Sequence, residues 1–253
     1  ASSTVKRVHL ELGGKAPFIV CEDADVEGAV ESAVAGGFFN NGQDCTAATR
    51  MIVHQDVYYT FVKKLTEKTK TLRVGNQLDE KTDVGPMVSA KQRDRVEEYI
   101  RTGKQEAKLA HGGSRRTEKG FFVEPTIFID ADQDMRICQE EIFGPVLAVM
   151  KFSAMEEAIE KANAVKYGLA ASVFTKDVTK AMKTANALKF GTVWINEHGI
   201  LASEMPHGGY KQSGFGKDLS SYAFEEYTNV KHVYIDITGQ ARKPWYYTVF
   251  GKK

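Results

Sequence analysis

Short apolar runs taking turns with amphipathic stretches of about 10–15 residues predict an α/β fold: a largely parallel open sheet flanked by helices. Two observations carry this expectation. In the second half, apolar runs at 121–129, 146–152, 171–175 and 192–196 read as strands, and 154–164 and 178–188 read as helices. In the first half, the apolar run 16–21 reads as a buried strand. Asp25 stands behind it as an N-cap, and Val26, Ala29, Val30, Ala33 and Val34 follow at helical spacing.

The remaining elements fall into place around these. Residues 8–12 form a short apolar run ended by Gly13-Gly14. The first helix is expected to stop over Gly36-Gly37 and Asn40-Asn41-Gly42, which leaves Cys45 in a turn. Residues 51–54 make a strand, and Val57, Phe61, Val62 and Leu65 line one face of the next helix. Gly85-Pro86 marks a turn, after which Ser89 opens a charged amphipathic helix to about Thr102. From Met205 the character changes. Gly208, Gly209, Gly214 and Gly216 crowd one stretch, 230–237 alternates like an edge strand, and the tail 238–253 is polar with interspersed aromatics.

Bulk properties exclude several function classes. A chain of 253 residues with 42% hydrophobic and 26% charged residues is globular and long enough to bury a full core. A net charge of +1 gives no footprint for nucleic acid or an acidic membrane surface. No apolar run approaches the roughly 18 residues of a spanning helix, and the first residues lack the apolar core of a signal peptide. Three cysteines do not make a disulfide framework, so a reducing, cytoplasmic compartment is expected. No metal is called for.

The cysteines differ in context. Cys21 lies in an apolar strand and reads as a small buried hydrophobe; nothing near Cys138 marks it as reactive. Cys45 stands in the polar, glycine-containing segment Asn40-Asn41-Gly42-Gln43-Asp44-Cys45-Thr46. A reactive thiol needs access and groups that stabilise thiolate, and amides in such a turn can hold an oxyanion. The glycine cluster after Pro206 resembles a phosphate loop only in spacing. Phe215 stands where the lysine must be, and no GxGxxG opens a helix after a strand. A backbone crossing or tight turn is the better reading.

Four ordered motifs resemble the aldehyde dehydrogenase superfamily. Residues 39–45 are similar to its cysteine signature and 10–15 to its glutamate signature, with Glu11 preceding Cys45 by 34 residues, as that pattern requires. Glu141-Ile142-Phe143-Gly144-Pro145-Val146 matches a third motif. Residues 206–214 resemble a fourth, usually written with Phe where His207 stands. The resemblance implies covalent catalysis: Cys45 attacks an aldehyde carbonyl, hydride leaves to NAD(P), and Glu11 activates the water that hydrolyses the thioester. It implies that Glu141 meets the ribose and Phe143 the nicotinamide, with Leu12 beside them. Read without it, Glu11 is an exposed strand charge, and Glu141 to Pro145 is a turn with a core Phe.

Within the superfamily, 42–48 and 204–209 look most like γ-aminobutyraldehyde and betaine-aldehyde dehydrogenases. On that reading Asp44 or Glu204 attracts an ω-ammonium group near Thr46, while Phe39, Trp194, Leu201 and His207 form the walls. The plainer alternative makes Asp44 the cap of its own turn and Trp194 a core residue. The resemblance covers the C-terminal half of such an enzyme. In the family a dinucleotide-binding domain precedes the glutamate motif, so this polypeptide alone is expected to have little NAD-dependent activity. It divides the chain into 1–12, a remnant of the cofactor domain; 13–206, the catalytic domain; 207–228, a return segment; and 229–253, an oligomerisation strand and tail. Residues 230–237 would join a neighbouring subunit, giving a homo-oligomer. Two alternatives stand beside the dehydrogenase: a truncated, non-catalytic module that binds or oligomerises, and a cofactor-independent esterase using Cys45 and Glu11.

Overall fold

The computed structural model describes residues 1–114 and 119–251. Its centre is a seven-stranded sheet. In chain order, β1 is Leu10–Glu11, β2 Ala16–Val20, β3 Ala48–His54, β4 Lys108–His111, β5 Thr126–Ile129 and β6 Val146–Phe152. Then come β7 Tyr167–Gly168, β8 Ala170–Phe174, β9 Thr192–Ile195, β10 Tyr210–Lys211 and β11 Gly214–Phe215. The large sheet runs β4-β5-β6-β3-β2-β8-β9. All its neighbours are parallel except β4 and β5. The largely parallel α/β architecture expected from the sequence is therefore present.

Helices cover both faces, because alternate strand residues are apolar on both sides. On one face Phe18, Val20, Met51, Val53, Leu147 and Val149 pack with α1 (Val26–Phe38) and α2 (Gln55–Lys70). On the other, Ile19, Ile52, Ala148, Met150 and Val173 pack with α3 (Ala90–Glu106), α4 (Arg136–Gln139) and α5 (Met155–Asn163). Helix α6 (Val178–Ala187) precedes β9, and α7 (Ser220–Tyr227) follows β11. Asp25 caps α1 by accepting from the amides of Glu27 and Gly28, and Ser89 caps α3 through the amide of Gln92, each satisfying free first-turn donors.

Two expectations need correction. Helix α1 does not stop at Gly36-Gly37 but passes through both. A Cβ on Gly36 would lie 2.6 Å from His198, and one on Gly37 2.7 Å from Leu147, so these glycines serve close packing. The helix ends instead where Asn40, Asn41 and Gly42 take successive left-handed conformations (φ 48°, 58° and 66°), which Asn and Gly tolerate best. The strand expected over 121–129 is only Thr126–Ile129, since Pro125 has no amide to give a ladder. The short β4 and α4 lacked a periodic signal. Residues 230–237, expected to join a neighbouring subunit, take no strand form by themselves: no strand among the described residues pairs with them, and Val230, Val233, Tyr234, Ile235 and Ile237 stand 70–91% exposed.

The glycine-rich stretch is a backbone crossing, one of the two readings left once a phosphate loop is set aside. β1 pairs antiparallel with β11, and β10 with β7. Any Cβ on Gly214 would sit 1.8 Å from the Leu10 carbonyl oxygen.

Candidate active site

Residues far apart in sequence meet at Gly13-Gly14, the loop between β1 and β2. The amide of Gly14 donates to Glu141 Oε1 at 2.9 Å. On the other side Gly14 touches the turn of Cys45 so closely that a Cβ would lie 2.1 Å from the Cys45 carbonyl oxygen. A Cβ on Gly13 would lie 2.3 Å from Glu141 Oε2. The two glycines thus let three chain segments converge where any side chain would hold them apart.

Cys45 occupies a tight turn. The Ala47 amide donates to the Asp44 carbonyl at 3.2 Å, placing Cys45 and Thr46 at its centre. Asp44 Oδ1 accepts from both the amide and the hydroxyl of Thr46 at 2.7 Å. The plainer alternative for Asp44 is realised: its carboxylate caps its own turn. Asn40 reinforces the segment by donating to the Gln43 carbonyl at 2.9 Å, and Gln43 Oε1 accepts from the Val88 amide at 2.8 Å.

The electrostatics around the thiol disfavour thiolate. Burial pushes the Cys45 thiol up to about 11, and the carboxylates of Asp44, Glu11 and Glu141 add to this. A hydrogen bond from its own amide opposes them. No side-chain cation figures among these influences, so the site favours neutral thiol at neutral pH. Cys21 and Cys138 are fully buried, and burial lifts both, to about 12 and about 11.

Glu11 sits in β1 on the face opposite Leu10 and Leu12, as alternation implied. Leu12 is half exposed, and its amide donates to the Ser213 carbonyl. Burial raises the Glu11 carboxyl and Asp218 raises it further, while His207, His9 and Lys217 pull it down. Its Oε1 is shielded and has no hydrogen-bond partner among the described residues. His9 Nε2 lies 3.9 Å from Glu11 and 3.7 Å from Asp218. A carboxyl of raised proton affinity with an unpaired oxygen has the character of a general base or acid.

Glu141 is likewise raised, chiefly by burial, against the Gly14 amide and Lys15. Phe143 adopts φ 59°, a strained conformation for a phenylalanine. Gln92 holds it there by donating to the carbonyls of Ile142 (3.1 Å) and Phe143 (2.9 Å). Phe143 also lines an 820 Å³ cavity with Asn40, Gln43, Met87 and Phe121.

The residues expected to wall a substrate path are less uniform. Phe39 and Leu201 are exposed at 70% and 53%. Trp194 is half-buried in β9, its indole donating to the Ile200 carbonyl at 2.7 Å. His207 is buried beside Glu11, with its backbone paired to Asp218 and Nδ1 3.3 Å from Thr192 Oγ1.

Three supporting residues escaped sequence reasoning. Besides Gln92, Arg50 is fully buried in β3 and donates to the carbonyls of Lys15, Lys161 and Ala162 and to Gln133 Oε1. An arginine inside an apolar strand was a usable signal, because a buried guanidinium demands such partners. His198, in a polar loop, gave no signal at all. It joins Thr46, Ser172 and Trp194.

Comparison with known proteins bears on this geometry. The family model described as "Aldehyde dehydrogenase family" matches residues 1–233. Retinaldehyde dehydrogenase 3 of Homo sapiens is 51% identical over 236 residues, covering 93% of this chain and 46% of that protein. Betaine aldehyde dehydrogenase of Brucella anthropi is 44% identical over 250 residues, covering 97% and 51%. An aldehyde dehydrogenase from Bacillus cereus, solved as its NAD+ complex, superposes with a TM-score of 0.91 at 47% identity, over 94% of this chain and 48% of that one. Betaine aldehyde dehydrogenase from Staphylococcus aureus, in complex with NAD+, gives 0.89 at 41% identity, over 96% and 50%. The chain spans about half the length of the relatives it matches.

Proposed function

The chain belongs to the aldehyde dehydrogenase family, and from that premise we propose that it carries the catalytic portion of an enzyme oxidising an aldehyde to a carboxylic acid through a thioester on Cys45. The observation that carries this reading is the convergence of Glu11, Cys45 and Glu141 on Gly13-Gly14. Cys45 Sγ, after losing its proton to water, bonds to the aldehyde carbon. The Thr46 and Ala47 amides already donate to Asp44, which leaves the Cys45 amide as the donor we assign to the oxygen that becomes anionic. That adduct becomes the thioester only by losing its carbon-bound hydrogen as hydride, which a bound oxidised nicotinamide would accept; Glu11 then takes a proton from the water that attacks the thioester carbon, and Cys45 leaves as thiolate.

The residues present fit a nicotinamide dinucleotide. Glu141 uses Oε1 on the Gly14 amide, which leaves Oε2 for a ribose hydroxyl, and the missing side chain of Gly13 keeps that oxygen clear. Phe143, gripped by Gln92, offers an aromatic face for a flat ring. Leu12 borders the same loop. A bound oxidised nicotinamide supplies the hydride acceptor and a positive charge in a site whose side chains around the thiol are anionic.

For substrate we assign the aldehyde class, with Trp194, His207, Phe39, Leu201 and Thr46 around its path. Betaine aldehyde dehydrogenases among the relatives support an aminoaldehyde. The occupied Asp44 carboxylate speaks against that residue as its reader. Residues 13–206 form the catalytic unit in this reading. The exposed apolar side chains of 230–237 are the surface through which we expect copies to associate. The three cysteines are free, in keeping with the reducing cytoplasm we assign. Among the described residues no helix is long and apolar enough to cross a membrane.

The reading is tested by thiol labelling and by ester hydrolysis. Cys45 should label faster than Cys21 and Cys138, and hydrolysis of an activated ester should vanish in Cys45→Ala. Equal labelling of the three cysteines, or hydrolysis that survives the substitution, refutes it. Ester hydrolysis is also a reading in its own right, because Cys45 and Glu11 both lie in this chain and that reaction needs no cofactor.

A further inference from the structure

We propose that His198 is a positioning residue for the nucleophile, fixing the Cys45 turn through a hydrogen bond from its Nε2 to the Thr46 carbonyl while Ser172 anchors the ring by donating to its Nδ1. This role rests on Cys45 being the nucleophile.

The geometry is specific. His198 lies in the loop after β9, yet only 7% of it is exposed. Its Nε2 is 2.8 Å from the Thr46 carbonyl oxygen, and its Nδ1 bonds to the hydroxyl of fully buried Ser172 in β8. A carbonyl only accepts, so Nε2 must carry the hydrogen. Burial depresses the proton affinity of the ring, so it is neutral and Nδ1 is bare; Ser172 therefore donates. The loop thereby acts on the turn through one defined tautomer.

The ring is also held on its faces. Phe18 lies 5.9 Å and Trp194 4.8 Å away, centroid to centroid. Gly36 of α1 leaves the space the ring fills, since a Cβ there would lie 2.6 Å from His198 Cδ2. Four elements thus aim one donor at one carbonyl. That carbonyl belongs to the residue after the nucleophile. Asp44 restrains the amide side of Thr46 and His198 its carbonyl side, so the turn is fixed at both ends. Trp194, which we place at the substrate wall, lies against the same ring, so the wall and the nucleophile share one support.

The test is iodoacetamide labelling of the 253-residue chain, resolved for each cysteine by peptide mass spectrometry, with urea unfolding measured in parallel. His198→Ala should slow Cys45 labelling roughly ten-fold, as a displaced nucleophile does. His198→Gln, whose side-chain amide reaches as far as Nε2, should recover most of that rate even though both variants are less stable. Ser172→Ala keeps the ring and its bond to Thr46 but removes the anchor at Nδ1, and should give a smaller loss. A purely structural role would move the unfolding midpoints without this rescue. Labelling of His198→Ala at or above the wild-type rate, or equal loss in the Ala and Gln variants, overturns the proposal. Should His198→Ala not fold, the order of rates wild type, His198→Gln, Ser172→Ala still decides, and a wild-type rate in Ser172→Ala overturns it. Equal labelling of the three cysteines in the wild type would remove the nucleophile itself. A fast wild-type Cys45 left unchanged by the His198 variants would remove only His198.

Discussion

Replacing Lys15 with methionine should stabilise the chain at neutral pH, although it deletes a charge one residue from the glycine pair. Lys15 is 1% exposed, and its Nζ has no hydrogen-bond partner among the described residues. Burial pulls the ammonium down from 10.5 to about 8, with Arg50 acting in the same direction; Cys138, Glu141 and Glu140 pull it back only in part. At about 1.4 kcal/mol per tenfold change in proton affinity, holding the ion inside costs about 3 kcal/mol. Because the folded state binds its proton less tightly, the cost is complete below pH 8. It shrinks as pH rises toward 10.5, where the unfolded chain also loses the proton. Methionine keeps the unbranched stem and removes the ion. Urea unfolding followed by circular dichroism at pH 7 and at intervals to pH 10 should show Lys15→Met more stable by about 3 kcal/mol, with the two curves converging toward the alkaline end. A variant no more stable at pH 7, or a gain unchanged between pH 8 and 10, would mean that the ammonium is well satisfied where it lies.

Further outcomes follow from the site. Alkylation of Cys45 should rise with pH toward a midpoint near 11. Glu11→Gln and Asp44→Asn should each move that midpoint down, since each removes a repelling anion; Asn can still accept from the Thr46 amide, so the turn survives. Gly14→Ala must displace the Cys45 carbonyl, which its Cβ would approach to 2.1 Å, and should cut Cys45 labelling about ten-fold or more. Gly42→Ala combines φ 66° with a Cβ 2.4 Å from the Gly144 oxygen, and should lower stability by about 2–3 kcal/mol in urea titrations. Arg50→Met strands buried carbonyls that now share one guanidinium, and should cost about 3 kcal/mol or more.

The sheet was legible because its strands and helices obey their own periods: Phe18 and Ile19 point to opposite apolar faces, and Asp25 and Ser89 cap where they should. The motifs singled out Cys45, Glu11, Glu141 and Phe143, and the fold brings the segments of Cys45 and Glu141 together against Gly13-Gly14, beside Glu11. Local pattern does not report what a side chain reaches across the fold. Gly36 and Gly37 read as a stop, but their lack of Cβ makes room for His198 and Leu147, which come from distant segments. His198 and Gln92 act on backbone carbonyls 152 and about 50 residues away, with no periodic trace of either. The alternation over 230–237 takes no strand form here, because a strand exists only with a ladder partner and none among the described residues pairs with it.

Asp44 shows how the architecture constrains redesign. Two donors of Thr46 already occupy one of its oxygens, so any attempt to retune charge preference at this position would first rewrite the loop that presents the sulfur. Phe39 and Leu201, which we propose for the substrate rim, are exposed, and their side chains make no hydrogen bond to the Cys45 loop. On that proposal, a library confined to these two positions should yield far more folded, thiol-competent variants than one that includes position 44.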